Sequence, residues 1–176
     1  MASESWTASE TPRRVLVACV GNIFFCDDGF GVEVARRLAR TDLPLQVKVE
    51  DFGIRGMHLA YEMLDGRYDT TVLVDATPRG REPGTVYLIE PDLASLGDAP
   101  PTGGGDAHGM SPGAVFAMLG SLGGVPGRVL IVGCEPLSVE EGMGLSDVVA
   151  RSVDAAVSLI MDVVGRECGA HSQARS

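Results

Sequence analysis

Residues 14–40 read RVLVACVGNIFFCDDGFGVEVARRLAR. The opening part, RVLVACV at 14–20, is an unbroken apolar run rich in valine. Such a run suits a strand buried on both faces, as in a parallel sheet. The closing part, from Gly29 to Arg40, carries Phe30, Val34 and Leu38 at four-residue spacing, which puts them on one face of a helix. Between the two lies a glycine-punctuated turn with adjacent carboxylates, Asp27 and Asp28. Strand, turn and helix make the opening unit of an α/β fold.

The rest of the chain repeats that unit. LQVKVED at 45–51 alternates apolar and polar residues, which predicts a strand solvated on one face, near a sheet edge. Residues 55–65 predict a short helix with Leu59, Met63 and Leu64 inward. TTVLVDA at 70–76 is a second fully buried strand that ends on Asp75, and GTVYLIE at 84–90 is a further strand. A loop from Pro91 to Met110, rich in Gly, Pro and Asp, is longer than connections usually are, which favours function or mobility. Ser111 and Pro112 give an N-cap followed by proline at the first helical position, and the helix continues through AVFAMLGSL. RVLIVGC at 128–134 is another buried strand. From Ser146 to Val164 one long helix is expected, with Val149, Val153, Val157, Ile160 and Val164 on a single stripe. The pattern predicts an α/β three-layer sandwich, a twisted, mostly parallel sheet of about five strands flanked by helices. One domain is expected over 13–166, between a disordered polar lead at 1–12 and a flexible tail at 167–176.

Composition narrows the function classes. A chain of 176 residues with 45% hydrophobic and 22% charged residues fits one soluble domain with a real core. Its net charge of -10 repels phosphate backbones, so nucleic acid is an unsuitable partner and cations or basic groups are suitable ones. No apolar run approaches the ~20 residues that span a bilayer, and the N-terminal MASESWTASETP lacks the basic and apolar regions of a secretory signal. The four cysteines form no CxxC pair, which argues against a zinc ribbon or a dithiol redox site. Scattered thiols without an export signal fit a reducing, cytoplasmic setting. Cys19, inside an apolar strand, reads as buried and structural. A monomer is the default expectation.

In parallel sheets, sites lie beyond the carboxyl ends of the strands. That rule selects Asp28, in the turn after the first strand, and Asp75, at the end of its own strand. His108 precedes a helix that begins near the same edge, whereas His58 falls on a helix and His171 in the tail. The opening turn does not fit a nucleotide. Its glycines lack the G-x-G-x-x-G spacing, no GK[ST] follows, and two carboxylates stand where phosphate would sit. Two carboxylates and an imidazole suit a divalent metal such as nickel, zinc or iron(II). Two carboxylates alone could instead share a proton as an acid/base pair. Asp27 reads as a helix cap or an outer-shell residue. Cys26, among negative charges, is a poor nucleophile candidate.

Taken in order, VGNIFFCDDGFGVEVARRL, DFGIRGMHLAYEML, VLVDA, HGMSPGAVFAML, VGCEP and GMGLSDVV resemble the hydrogenase maturation endopeptidase family, over residues 14–165. The resemblance implies an α/β sandwich. It also implies an aspartic-type endopeptidase that removes a C-terminal extension from the precursor of a nickel–iron hydrogenase large subunit once nickel is in place. On that resemblance Asp28, Asp75 and His108 are the metal-contacting and catalytic positions. Asp51 has a part in substrate handling. The nickel is supplied by the substrate precursor, and no organic cofactor is implied. Where relatives commonly have D-G-G-T, this chain has Asp51-Phe52-Gly53-Ile54. Water is the expected nucleophile, polarised by the metal or by a carboxylate. Two other functions share the same residues: a non-catalytic nickel-sensing chaperone for the precursor, and a small-molecule metal-dependent hydrolase.

Overall fold

The computed structural model describes residues 12–93 and 112–169. Five strands form one sheet: β1 (Val15–Val20), β2 (Val47–Gly53), β3 (Thr70–Ala76), β4 (Val86–Ile89) and β5 (Arg128–Cys134). Their spatial order is β2-β1-β3-β5-β4, with every neighbouring pair parallel except β4 and β5. The alternating 45–51 segment lies at one edge, as its one-sided polarity predicts. The helices are α1 (Phe30–Leu38), α2 (Gly56–Gly66), α3 (Pro112–Ser121), α4 (Asp147–Ala150) and α5 (Val153–Gly169). The chain is therefore an α/β three-layer sandwich with a mostly parallel sheet.

Strand alternation divides the core in two. Val15, Val17, Cys19, Val72, Val74, Leu130 and Val132 pack against Phe30, Val34 and Leu38 of α1 and Ile160 and Val164 of α5. On the opposite face, Leu16, Ala18, Leu73, Val129 and Ile131 meet Leu59 and Met63 of α2 and Val115 and Leu119 of α3. Each buried aliphatic side chain of this kind contributes about 1.5–3 kcal/mol. Burial pushes the Cys19 thiol far up, with the charge of Asp51 adding to the effect, so it is packing material and not a reagent.

Two expectations need correction. The helix expected from Ser146 to Val164 is two helices. Ser152 lies in the break, and its hydroxyl donates to the carbonyls of Gly84 (2.6 Å) and Val148 (3.0 Å). The apolar stripe survives the break, since Val149 and Val153 still enter the same core. The domain also runs past 166, because α5 continues to Gly169. Glu167 is buried there, and its carboxylate accepts from Thr70 Oγ1 (2.7 Å) and Arg128 Nη1 (2.6 Å). A charged residue near a terminus reads as tail until its partners on β3 and β5 are seen. Leu64 of α2 packs against the second core as expected, though only half-buried, and Ala60 joins Leu59 inside it. Ser111 and the proposed lead and outer tail lie outside the described residues.

The topology fixes where a site can form. From β1 the chain passes through α1 to β2 on one side, then through α2 back across to β3 on the other. The carboxyl ends of β1 and β3 are thus a switch point, where an open α/β sheet leaves a crevice. Gly31, in the first turn of α1, seats against both ends. A side chain there would meet the carbonyl oxygens of Val20 at 2.1 Å and Val74 at 2.6 Å. Only glycine lets the helix start so close to the two strands.

Candidate active site

Asp28 and Asp75 come from the two sides of this crevice. Asp28 lies in a single 3-10 turn (Cys26–Gly29) between β1 and α1. It is partly buried, and its Oδ2 accepts one backbone bond, from Asn22 N at 2.7 Å. Burial raises the Asp28 carboxyl above its ordinary range, and the Asn22 amide offsets part of that rise. Asp75 ends β3 on the α2/α3 face of the sheet, the face of Leu73. Its carboxyl is pushed up to about 8, first by burial, then by the negative charge of Asp28, against a lowering bond from the Ala76 amide. The two carboxyls therefore feel each other. Two such groups in one partly closed crevice resist double ionisation unless a cation or a shared proton relieves them. Among the described residues no set of three ligating side chains assembles. His108, the third predicted ligand, lies outside the described residues.

Asp27 does something different from the capping expected of it. It is fully buried. Its carboxylate accepts from Leu137 N (2.8 Å), Ser138 N (3.1 Å), Ser146 N (2.7 Å) and Ser146 Oγ (2.9 Å). It makes no cap bond to its own helix. The loop between β5 and α4 is thereby clamped to the turn that carries Asp28. Two backbone bonds continue the seam: Cys26 N to Gly142 O at 2.8 Å and Gly142 N to Phe24 O at 2.8 Å.

Asp51 sits one strand over, near the end of β2, paired with Cys19 and on the α1/α5 face. Its Oδ1 accepts from Gly53 N at 2.8 Å, and Gly53 O in turn accepts from Gly21 N at 3.0 Å. Asp51 thus shapes the loop that abuts the Asp28 turn, from the sheet face opposite that of Asp75. Ile54, where the hydroxyl residue is missing, is exposed beside it.

Glu135 escaped the sequence reading. It follows β5 directly, is buried, and accepts from the amides of Arg79 (2.8 Å) and Gly80 (3.1 Å) and from the Tyr87 hydroxyl (3.3 Å). Burial alone would raise its carboxyl, but the amides of Arg79, Arg81 and Gly80 and the Tyr87 hydroxyl outweigh that and hold it low. The strand-end rule that found Asp75 would have found it in RVLIVGCE.

Among the described residues no helix is long and apolar enough to cross a membrane. The model of the hydrogenase maturation protease family matches residues 32–163. A hydrogenase expression/formation protein of Rhodobacter capsulatus is 32% identical over 152 residues, covering 84% of this chain and 69% of that protein. The hydrogenase 2 maturation protease of Escherichia coli is 29% identical over 162 residues, covering 89% and 93%. The solved structure of a hydrogenase maturating endopeptidase from E. coli superposes with a TM-score of 0.70 at 27% identity, covering 89% of this chain and 94% of that one. These likenesses set aside the chaperone and the small-molecule hydrolase. With its switch-point carboxylates and this match over most of its length, the chain belongs to the hydrogenase maturation protease family and is an endopeptidase.

Proposed function

We propose that the chain removes the C-terminal extension of a nickel-loaded precursor of a nickel–iron hydrogenase large subunit, and that the nickel is what it recognises. The observation that supports this most directly is the state of the carboxyl pair. Asp28 and Asp75 converge on one crevice with both carboxyls raised, and among the described residues no cationic side chain offsets the rise at Asp75. A site of that kind gains most from a positive charge brought by its substrate. Nickel held by precursor thiolates is such a charge, and Asp28, Asp75 and His108 are the ligands this chain offers. Precursor without nickel would meet two carboxyls and nothing to relieve them, so maturation state and docking are coupled.

Seating the metal fixes the adjacent peptide beside the carboxylates, which is catalysis by proximity. A water then adds to the peptide carbonyl and gives its proton to an ionised carboxylate. The leaving amine takes a proton from a carboxyl as the C–N bond breaks. The Asp27 clamp and the Asp51 loop hold the Asp28 turn while this happens. The test is to incubate the chain with nickel-loaded and nickel-free precursor and weigh the products by mass spectrometry. Cleavage of the loaded form alone is expected. A loaded precursor left intact, or equal cleavage of both forms, overturns the proposal.

A further inference from the structure

The turn between β3 and β4 has a feature that the carboxyl pair does not use. It carries Arg79-Gly80-Arg81, four to six residues beyond Asp75. Both arginines are exposed, and neither makes an ion pair with a described carboxylate. Two guanidinium groups two residues apart, without carboxylate partners among the described residues, give this turn a local positive charge in a chain of net charge -10. They are also held in place. Glu135 grips the turn through the amides of Arg79 and Gly80, and Gly84 N donates to Glu135 O at 2.8 Å on the returning limb.

Beside the turn lies an open groove of about 490 Å³, lined by Arg79, Arg81, Thr85, Tyr87, Leu88 and Ile89. Glu90 closes its far end and accepts two bonds, at 2.8 and 3.0 Å, from Arg128, a guanidinium it shares with Glu167. The groove follows β4, an edge strand paired on one side only, with β5, among the described residues. An edge strand offers backbone groups to an extended peptide, and alternate side chains then meet its pockets.

The groove connects to the carboxyl pair in register. Tyr87 pairs with Gly133, and Gly133 pairs with Asp75, so all three share one line across the sheet and one face. The Tyr87 ring lies over Gly133, with Cε2 2.6 Å from where a side chain would begin, and its hydroxyl donates to Thr77 O. Arg79 stacks on that ring with its guanidinium carbon 5.8 Å from the centroid. Two inter-strand spacings of about 4.8 Å separate the backbones of Asp75 and Tyr87, so a peptide crossing from Asp75 to the β4 edge spans about 10 Å. An extended peptide covers that distance in about three residues. Because β4 runs from the site's rim down the sheet, a chain laid along it leads away from the crevice. That suits the free, removable side of the scissile bond and not the folded, metal-bearing side.

We propose that the Arg79–Arg81 turn and the β4 edge form a subsite for an extended acidic stretch of the precursor's removable segment, with an acidic side chain about three residues beyond the scissile bond. This rests on the function proposed above. The test uses nickel-loaded precursor, the wild-type chain and the R79E/R81E variant, whose substitutions lie on the surface. The variant should lose about tenfold or more in kcat/KM, mainly through KM, and the loss should shrink at high salt. Changing the acidic residues at the start of the extension to lysine should impair the wild type and restore the variant. A wild type that leaves the precursor uncut overturns the functional reading and this one with it. A wild type that cuts while R79E/R81E cuts equally well overturns only the subsite. So does an extension with no acidic residue among about its first five. If R79E/R81E misfolds by circular dichroism, R79Q/R81Q is measured against the same thresholds.

Discussion

Asp27 and Asp28 are neighbours in the chain and opposites in environment. Asp27 is buried among four donors and has every lone pair it needs occupied. Among the described residues Asp28 receives one amide, and across the crevice it faces Asp75, a carboxyl of the same sign. One carboxylate holds the structure together, while the other pair strains against it. A buried carboxylate is identified by what it accepts from. Satisfied donors mark a structural part, and missing ones mark a place for something that arrives later.

The largest effect should come from the unsatisfied pair. Asp28→Ala and Asp75→Ala should each lower precursor cleavage by roughly 10²–10⁴-fold, the usual span for a positioned acid/base group. Circular dichroism and melting should show both variants folded. If either variant cleaves at the wild-type rate, that residue belongs with the scaffold and the contrast with Asp27 collapses.

Asp27→Ala should break the other side of the comparison. It strands the amides of Leu137, Ser138 and Ser146 and the Ser146 hydroxyl in a buried place. The expected cost is about 3–5 kcal/mol, or a fall in melting temperature of roughly 10 °C. A denaturant titration measures it. A loss under 1 kcal/mol would show that the loop holds without its clamp.

Both roles bear on what could be read in advance. Asp75 was legible because a carboxylate ending an apolar strand has one place to go, the crevice. Asp28 was legible from negative charge where a phosphate loop would need the opposite. The alternation of apolar runs gave the sandwich, and the polar alternation of 45–51 marked an edge. Asp27 read as a cap or an outer-shell residue, and its clamp was hidden because its partners lie 110 to 119 residues away, in a loop with no periodic signal. The break before α5 and the burial of Glu167 were hidden for the same reason. Each depends on a bond to a distant strand or loop, which propensity does not encode.

The strain in the pair should be measurable as stability. Asp75 titrates near 3.8 when unperturbed and is pushed up to about 8 in the fold. Between those values the folded chain holds a proton that the unfolded chain has released, so stability falls as pH rises through this window. Below it both states are protonated, and above it neither is. Asp75→Asn removes the ionisation and should be more stable than wild type by ~1–3 kcal/mol at pH 8, with the gap closing toward pH 4. Melting curves across pH, without added metal, test this. A gap that stays constant with pH would mean that Asp75 is not the strained group. Nickel or another divalent cation added to wild type should narrow the gap by favouring the ionised form.

The smallest change separates two versions of the clamp. Ser146 gives Asp27 both its amide and its hydroxyl. Ser146→Ala removes only the hydroxyl and leaves three backbone donors on the same carboxylate. A charge-assisted bond that is partly replaceable by its neighbours should cost about 1 kcal/mol. If Ser146→Ala matches Asp27→Ala, the side-chain bond is what closes the seam, and the backbone donors follow it. If it costs about 1 kcal/mol, the amides of Leu137, Ser138 and Ser146 carry the clamp. Asp27 then acts as a buried anion that organises a loop through its backbone, the same device Glu135 uses on the Arg79–Gly80 turn. The two clamps would then be the rigid posts between which the strained pair, Asp28 and Asp75, is held open.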